Sequence, residues 1–260
     1  DNTHTSSRLM AGKRLLTNTT GAETTDGDMS FDFNNGWNNN DFGTTARYSW
    51  MWKRAKGFFD VVAYTGTGVA GRTVNHNLGV VPEMIWVKQR GGATSWRTYD
   101  AFNTATDYMN LNDLNASQAE LTMWNNTEPT DAEFYLGSNS SLNANSATFI
   151  AYLFATLAGI SKVGSYTGNG TGQTIDCGFS TGTKFIIIKN SNGTGDWMMF
   201  DVVRGITVAD DKMLTLNTTN AEVSTDRITQ DLSGIYLNGN ENAVNYTGGE
   251  FIYYAIANPI

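Results

Sequence analysis

Tyr64-Thr65-Gly66-Thr67-Gly68 returns as Tyr166-Thr167-Gly168-Asn169-Gly170, an offset of 102 residues (166 − 64). The stretches downstream of each copy repeat too. Glu83-Met84-Ile85-Trp86-Val87-Lys88 is matched by Lys184-Phe185-Ile186-Ile187-Ile188-Lys189. Ser95-Trp96-Arg97-Thr98-Tyr99-Asp100 is matched by Asp196-Trp197-Met198-Met199-Phe200-Asp201, and residues 148–155 by 250–257. Unlike landmarks that keep one spacing mark homologous units. Two full units therefore run over residues 57–158 and 159–260. A Gly-x-Gly run can cradle a phosphate when it opens a helix. Here it joins two β-branched stretches, so it reads as a tight turn near the start of each unit.

Within a unit the strand signals are short and close together. Phe59 to Tyr64, Arg72 to His76, Glu83 to Lys88, Ser95 to Asp100, Tyr108 to Leu111, Glu120 to Trp124, Glu133 to Gly137 and Thr148 to Ala155 read as about eight strands in about 100 residues. Asn- and Gly-rich turns separate them. The apolar runs at 84–87 and 185–188 are nearly continuous, which predicts strands buried on both faces. The expected fold is all-β, with tandem β-sandwich (jelly-roll-like) domains.

Residues 1–56 read as an incomplete third unit with an N-terminal arm. Arg14-Leu15-Leu16-Thr17-Asn18 matches Met213-Leu214-Thr215-Leu216-Asn217. Arg47-Tyr48-Ser49-Trp50-Met51-Trp52-Lys53 fills the slot of a closing strand. Counterparts of the opening motif, the apolar third strand and the Trp strand are not found there. A half sandwich leaves strand edges and apolar faces uncovered. Three remedies are open: the missing half lies upstream in a longer precursor, residues 1–56 pack on the other two units as an extended skin, or another chain completes the unit through strand or face complementation; the last, giving a homo-oligomer or a head-to-tail polymer, is the one expected.

Composition narrows the function. Charged residues are 16% of the chain, against roughly 25% in an average soluble domain. Asn, Thr, Ser and 27 Gly supply the polar surface instead. The net charge is −8, and Lys and Arg form no clusters, so no nucleic-acid partner is expected. No run of about 18 apolar residues is present, so no membrane insertion through a helix is expected. The single cysteine, Cys177, leaves no intrachain disulfide or Cys-based zinc site and reads as a small core residue.

No catalytic constellation emerges. The two histidines, His4 and His76, limit His-based chemistry, and no nucleophile elbow, zinc helix or phosphate loop occurs. Asp210, Asp211, Asp226 and Asp231 lack the alternating spacing of a calcium loop. Asp100 and Asp201 recur at matched positions, as hydrogen-bonding parts of a turn would. No metal and no cofactor is expected. Trp96 and Trp197 are shared between units and read as core. Trp37, Trp50 and Trp52 belong to the incomplete unit and read as an assembly interface, and Trp124, unshared, reads as a candidate glycan contact.

Several strings are specific: Phe58-Phe59-Asp60-Val61-Val62-Ala63-Tyr64-Thr65-Gly66, Asn75-His76-Asn77-Leu78-Gly79-Val80-Val81-Pro82-Glu83-Met84-Ile85, residues 161–170 and Gly195-Asp196-Trp197. Through them nearly the whole chain resembles an uncharacterised tandem-repeat family found in large virion and tail-fibre-like proteins of marine and cyanobacterial phages. The resemblance implies a structural or receptor-facing role at an extracellular or virion surface, with no catalytic residues to carry over. The reading is a non-enzymatic structural subunit of a phage virion appendage or extracellular fibre. The alternatives are an adhesin that binds host surface glycans and a polysaccharide depolymerase.

Overall fold

The structure, a computed structural model, describes residues 4–5, 13–25, 29–33, 36–39, 48–207, 210–239, 241 and 243–259. For 4–5, 29–33, 36–39 and 207 it describes the backbone. In the first unit a six-stranded antiparallel sheet has the order Gln118–Ala119, Asp107–Asn110, Arg97–Asp100, Met84–Gln89, Thr148–Phe154, Phe59–Thr65. Arg72–Asn75 pairs with Glu133–Leu136 to make a smaller second layer. The second unit repeats the plan. Its main sheet runs Ser161–Thr167, Glu250–Ala257, Thr183–Asn190, Met198–Asp201, Asp210–Thr215, Ile206–Thr207, with Val223–Thr225 also on Asp210–Thr215. Its second layer holds Gln173–Asp176, Gly234–Leu237 and Ile228–Gln230. The chain is all-β, and each unit is a sandwich of unequal layers, not the balanced pair of a jelly roll.

In both units the strand that closes the sequence lies inside the main sheet, one place from its edge. Thr148–Phe154 pairs with Phe59–Thr65 on one side and Met84–Gln89 on the other. Glu250–Ala257 sits likewise between Ser161–Thr167 and Thr183–Asn190. Successive side chains of a strand point to opposite faces, and here the two faces go to different cores. Ile85, Val87, Phe149, Ala151 and Leu153 face the small sheet of their own unit, with Val74, Phe134 and Leu136. Ile186, Ile188, Phe251, Tyr253 and Ala255 do the same in the second unit, with Ile175, Ile235 and Leu237. The alternate residues Met84, Trp86, Ile150, Tyr152 and Phe154 meet Phe185, Ile187, Ile252 and Tyr254 in a third core between the units. This is why residues 84–87 and 185–188 are apolar without alternation: both faces are buried.

The N-terminal residues join that shared core through Leu15, Trp50 and Trp52. His4–Thr5, Lys13–Leu16 and Thr24–Thr25 form a three-stranded sheet. His4 opposes Leu16 as Arg97 opposes Asn110 and Met198 opposes Thr215. The N-terminal unit thus has a counterpart of the Trp strand, contrary to the sequence reading. Met29–Phe33 and Gly36–Asn39 make a separate hairpin. Residues 48–54 are not a strand. In the full units the closing strand is held between first and third strands, and the described N-terminal residues supply neither. Residues 120–124, expected as a strand, are mostly turn, and the short helix Ser140–Asn143 was not foreseen. Among the described residues no helix is long and apolar enough to cross a membrane.

A shared core predicts shared unfolding. The chain should melt in one cooperative transition by calorimetry and far-ultraviolet circular dichroism. Ile187→Ala, at the shared core, should cost about 2–5 kcal/mol. Urea unfolding followed by signals from both units should shift together, whereas two separate transitions would contradict a common core.

Candidate functional site

The repeated opening motif is a lock. Tyr64 Oη donates to the Leu142 carbonyl at 2.8 Å, and Tyr166 Oη to the Val244 carbonyl at 2.7 Å. The next residues, Asn143 and Asn245, are fully buried. Asn143 Oδ1 accepts from Thr67 N at 2.8 Å, while its Nδ2 donates to the carbonyls of Val69 and Gly137. Asn245 Oδ1 accepts from Asn169 N at 3.1 Å, and its Nδ2 donates to the carbonyls of Thr171 and Gly239. The glycines are dictated by this geometry. A Cβ on Gly66 would sit 2.2 Å from the Ala144 carbonyl oxygen, and one on Gly168 2.3 Å from that of Tyr246. Gly68 and Gly170 hold φ of +72° and +70°, in the left-handed region that glycine enters without strain. The shallow depression beside this turn, lined by Thr67, Val69, Ala70, Gly71, Arg72 and Thr73, contains no buried acid or base.

The units meet along seams that repeat. Trp197 Nε1 of the second unit donates to the Asn110 carbonyl of the first at 2.9 Å. Trp96 Nε1 of the first unit donates to the Leu16 carbonyl of the N-terminal unit, also at 2.9 Å. Leu16 and Asn110 hold the same strand position, opposite His4 and Arg97. A main-chain bond accompanies each indole: Ser117 N to the Ser191 carbonyl at 2.8 Å, and Glu23 N to the Arg90 carbonyl at 2.7 Å. The second unit also touches the N-terminal one. Thr17 Oγ1 donates to the Leu216 carbonyl at 2.8 Å, and Trp50 Nε1 to Asp201 Oδ2 at 3.2 Å. The Arg204 guanidinium lies 5.3 Å from the Trp50 ring centre and pairs with Asp201 at 2.5 Å in a fully buried ion pair. Trp52 meets Phe185 edge-on at 5.4 Å.

The buried ionisable groups serve the frame. Asp100 accepts from the backbone N–H groups of Phe102 and Asn103, and Asp201 from those of Val203 and Arg204. Burial pushes the Asp100 carboxyl above the usual range, against the pull of those hydrogen bonds. Asp60 accepts from Arg54, Val61 N and Asn77 N, and Asp211 from Thr225, Arg227 N and Ile228 N. His76 Nδ1 accepts from Leu78 N, so Nε2 carries the proton and donates to the Thr130 carbonyl; burial pulls its pKa down. Burial pushes the Cys177 thiol up to about 11. Asp210 pairs with Lys212, and Asp231 accepts from its neighbour Ser233. Among the described residues no three His, Cys, Asp or Glu side chains gather as a metal site.

Lys88 and Lys189, one per unit at matched positions, are fully buried. Lys88 Nζ donates to the carbonyls of Gln89 and Gly92; Lys189 Nζ donates to those of Asn190 and, across the seam, Leu114. Burial lowers both pKa values to about 8.

The residues singled out in the sequence fall in different places. Trp50 and Trp52 lie where the N-terminal segment packs on both units, so within this chain they form an internal interface. The side chain of Trp37 lies outside the described residues. Trp124 is 2% exposed and packs edge-on against Tyr99 at 5.7 Å, so it cannot stack on a sugar. Its neighbour Tyr99 donates to Glu128. Asn143, Asn245 and Arg204 went unnoticed, though the Asn pair keeps the 102-residue spacing of the motif it holds.

A family model described as a domain of unknown function, DUF7483, matches residues 1–259, and the chain belongs to that family. No curated protein and no solved structure matches it.

Asn143→Ala leaves Thr67 N and two carbonyls without their buried partner, each worth about 1–3 kcal/mol. Chemical denaturation should show a loss of roughly 3 kcal/mol or more, and Asn245→Ala should behave alike. The lysines give a pH dependence. Their pKa is about 8 folded against an ordinary 10.5, so between these values the unfolded chain binds more protons and stability rises with pH. Melting temperature should climb from about pH 7.5 to 9.5. It should turn down above about pH 10, because burial raises the phenols of Tyr64, Tyr152 and Tyr166. A Lys88→Met, Lys189→Met double variant should flatten the rise.

Proposed function

We propose that this member of the DUF7483 family is a non-enzymatic structural subunit of an extracellular fibre or virion appendage. The observation that carries the reading is the seam made twice with one geometry. A Trp indole and a main-chain bond tie each unit to the one before it, and a contact of that head-to-tail kind extends a structure where an isologous one closes it. The chemistry of the interior points the same way. Asp60, Asp100, Asp201 and Asp211 are engaged by backbone N–H groups, and His76 by two main-chain partners. Such groups stiffen turns, and their hydrogen-bonding capacity is taken up by the main chain. The neutral Asn, Thr and Gly surface and the resemblance to virion repeat proteins agree with this role. The adhesin reading loses its ring with the burial of Trp124.

Electron micrographs of the purified chain should show extended rods or end-to-end arrays with a regular axial repeat. Incubation with host polysaccharides should release no reducing ends. Dispersed single particles at every concentration, together with product release, would overturn the proposal.

A further inference from the structure

The turn that opens each unit is covered in one copy and open in the other. Gly71 and Gly172 stand just before Arg72 and Gln173, which hold matched positions opposite Leu136 and Leu237. A Cβ on Gly172 would collide with the Tyr236 hydroxyl, so that phenol lies against the turn. A Cβ on Gly71 would meet nothing within 4 Å. Tyr135, the counterpart of Tyr236, donates instead to Glu133 Oε1 at 2.9 Å. The residue after the glycine differs in the same sense. Gln173 Nε2 is taken up by the lock, donating to the Thr167 carbonyl at 3.2 Å and to Asn245 Oδ1 at 2.8 Å. Arg72 has no ion-pair partner among the described residues, and its Nε is buried without an acceptor. The Ala70 N–H and the Thr73 hydroxyl also find no acceptor among the described residues. All three donors line the depression beside the first turn, and no carboxylate lines it.

We propose that this depression is an oxyanion site that takes the carboxylate of an acidic saccharide, a uronate. A guanidinium presents Nε–H and an Nη–H side by side, the fork that holds a carboxylate with two parallel hydrogen bonds. An acceptor there would restore the bond that the buried Nε lacks. The Ala70 N–H and Thr73 hydroxyl offer further donors, and the hydroxyl can also accept. Val69, 66% exposed, and Ala70 give an apolar edge suited to the C–H face of a sugar ring. The volume of about 390 Å³ is at the lower end of the range for small-molecule sites, so it suits one ring of a longer glycan. The second unit, with Tyr236 over its turn and Gln173 tied into its lock, should not bind. The proposal goes beyond the structural reading and does not depend on it.

The test is a titration of the whole chain with sodium glucuronate, followed by nitrogen-15 NMR. The Arg72 Nε–H signal and the amides of residues 69–73 should shift and saturate, while those of residues 170–174 stay in place. Methyl glucoside, a ring without the charge, and acetate, the charge without a ring, should each bind about tenfold or more weaker. Arg72→Gln, which installs the residue of the second unit, should abolish the shifts and leave the melting transition in place. The proposal is overturned if the Arg72 signal does not move, or if the Arg72→Gln chain titrates like the original. It is overturned equally if methyl glucoside, acetate, inorganic phosphate or an acidic dipeptide matches glucuronate.

Discussion

A sheet with two apolar faces needs two partners. That requirement organises the molecule. At about 25 cal/mol per Å² of apolar surface, leaving one face of Met84–Gln89 or Thr183–Asn190 in water would cost several kcal/mol. Each main sheet solves half of the problem with its own small layer. The other half is solved only by the neighbouring unit, which is in effect the missing layer. The repeats are therefore not beads on a string: the sequence duplicates, but the core between Trp86, Tyr152, Ile187 and Tyr254 belongs to no single copy.

Apolar burial does not choose a register, and the polar groups at the seam do. An indole N–H that ends in an apolar core must find an acceptor or lose its water for nothing. Trp197 and Trp96 each find one carbonyl at the same strand position of the preceding unit. The buried Arg204–Asp201 pair, with Trp50 over the guanidinium, does this for the N-terminal segment. Pairs of this kind discriminate between arrangements more than they add stability. The direction of the stack is written in donors and acceptors, its strength in hydrocarbon.

Much of this was legible in the sequence. The fixed spacing gave the units, and the unbroken apolar runs gave the two-faced strands. The fate of the second face was not legible, because period-two patterning says that a face is buried and not what buries it. Trp124 misled for a related reason. It has no counterpart in the other unit, which suggested an added function. The structure shows a substitution of parts: where the second unit adds the Ile228–Gln230 strand to its small layer, the first has a turn that buries Met123 and Trp124. Residues 48–54 misled in the opposite sense. Their composition is that of a strand, but a strand exists only beside another, and pairing partners are invisible in a local window. The assignment of Asp100 and Asp201 as turn residues could be reached because repetition is itself evidence against a unique catalytic role.

The closing strand and the Asn that precedes it have a consequence for time as well as space. Asn143 reaches back 76 residues to Thr67, and Asn245 the same distance to Asn169. The strand just after each Asn is the one that inserts between the first and third strands. A chain emerging from the ribosome thus presents first and third strands that cannot meet, and a turn that cannot set, until nearly the whole unit has been made. Ordering must wait for the last stretch of each repeat, since long-range pairing repays its loop-closure entropy only at the end. The common core waits longer still, for Glu250–Ala257, which brings Ile252 and Tyr254. Within each unit synthesis starts at the first strand, but the structure is decided at the last.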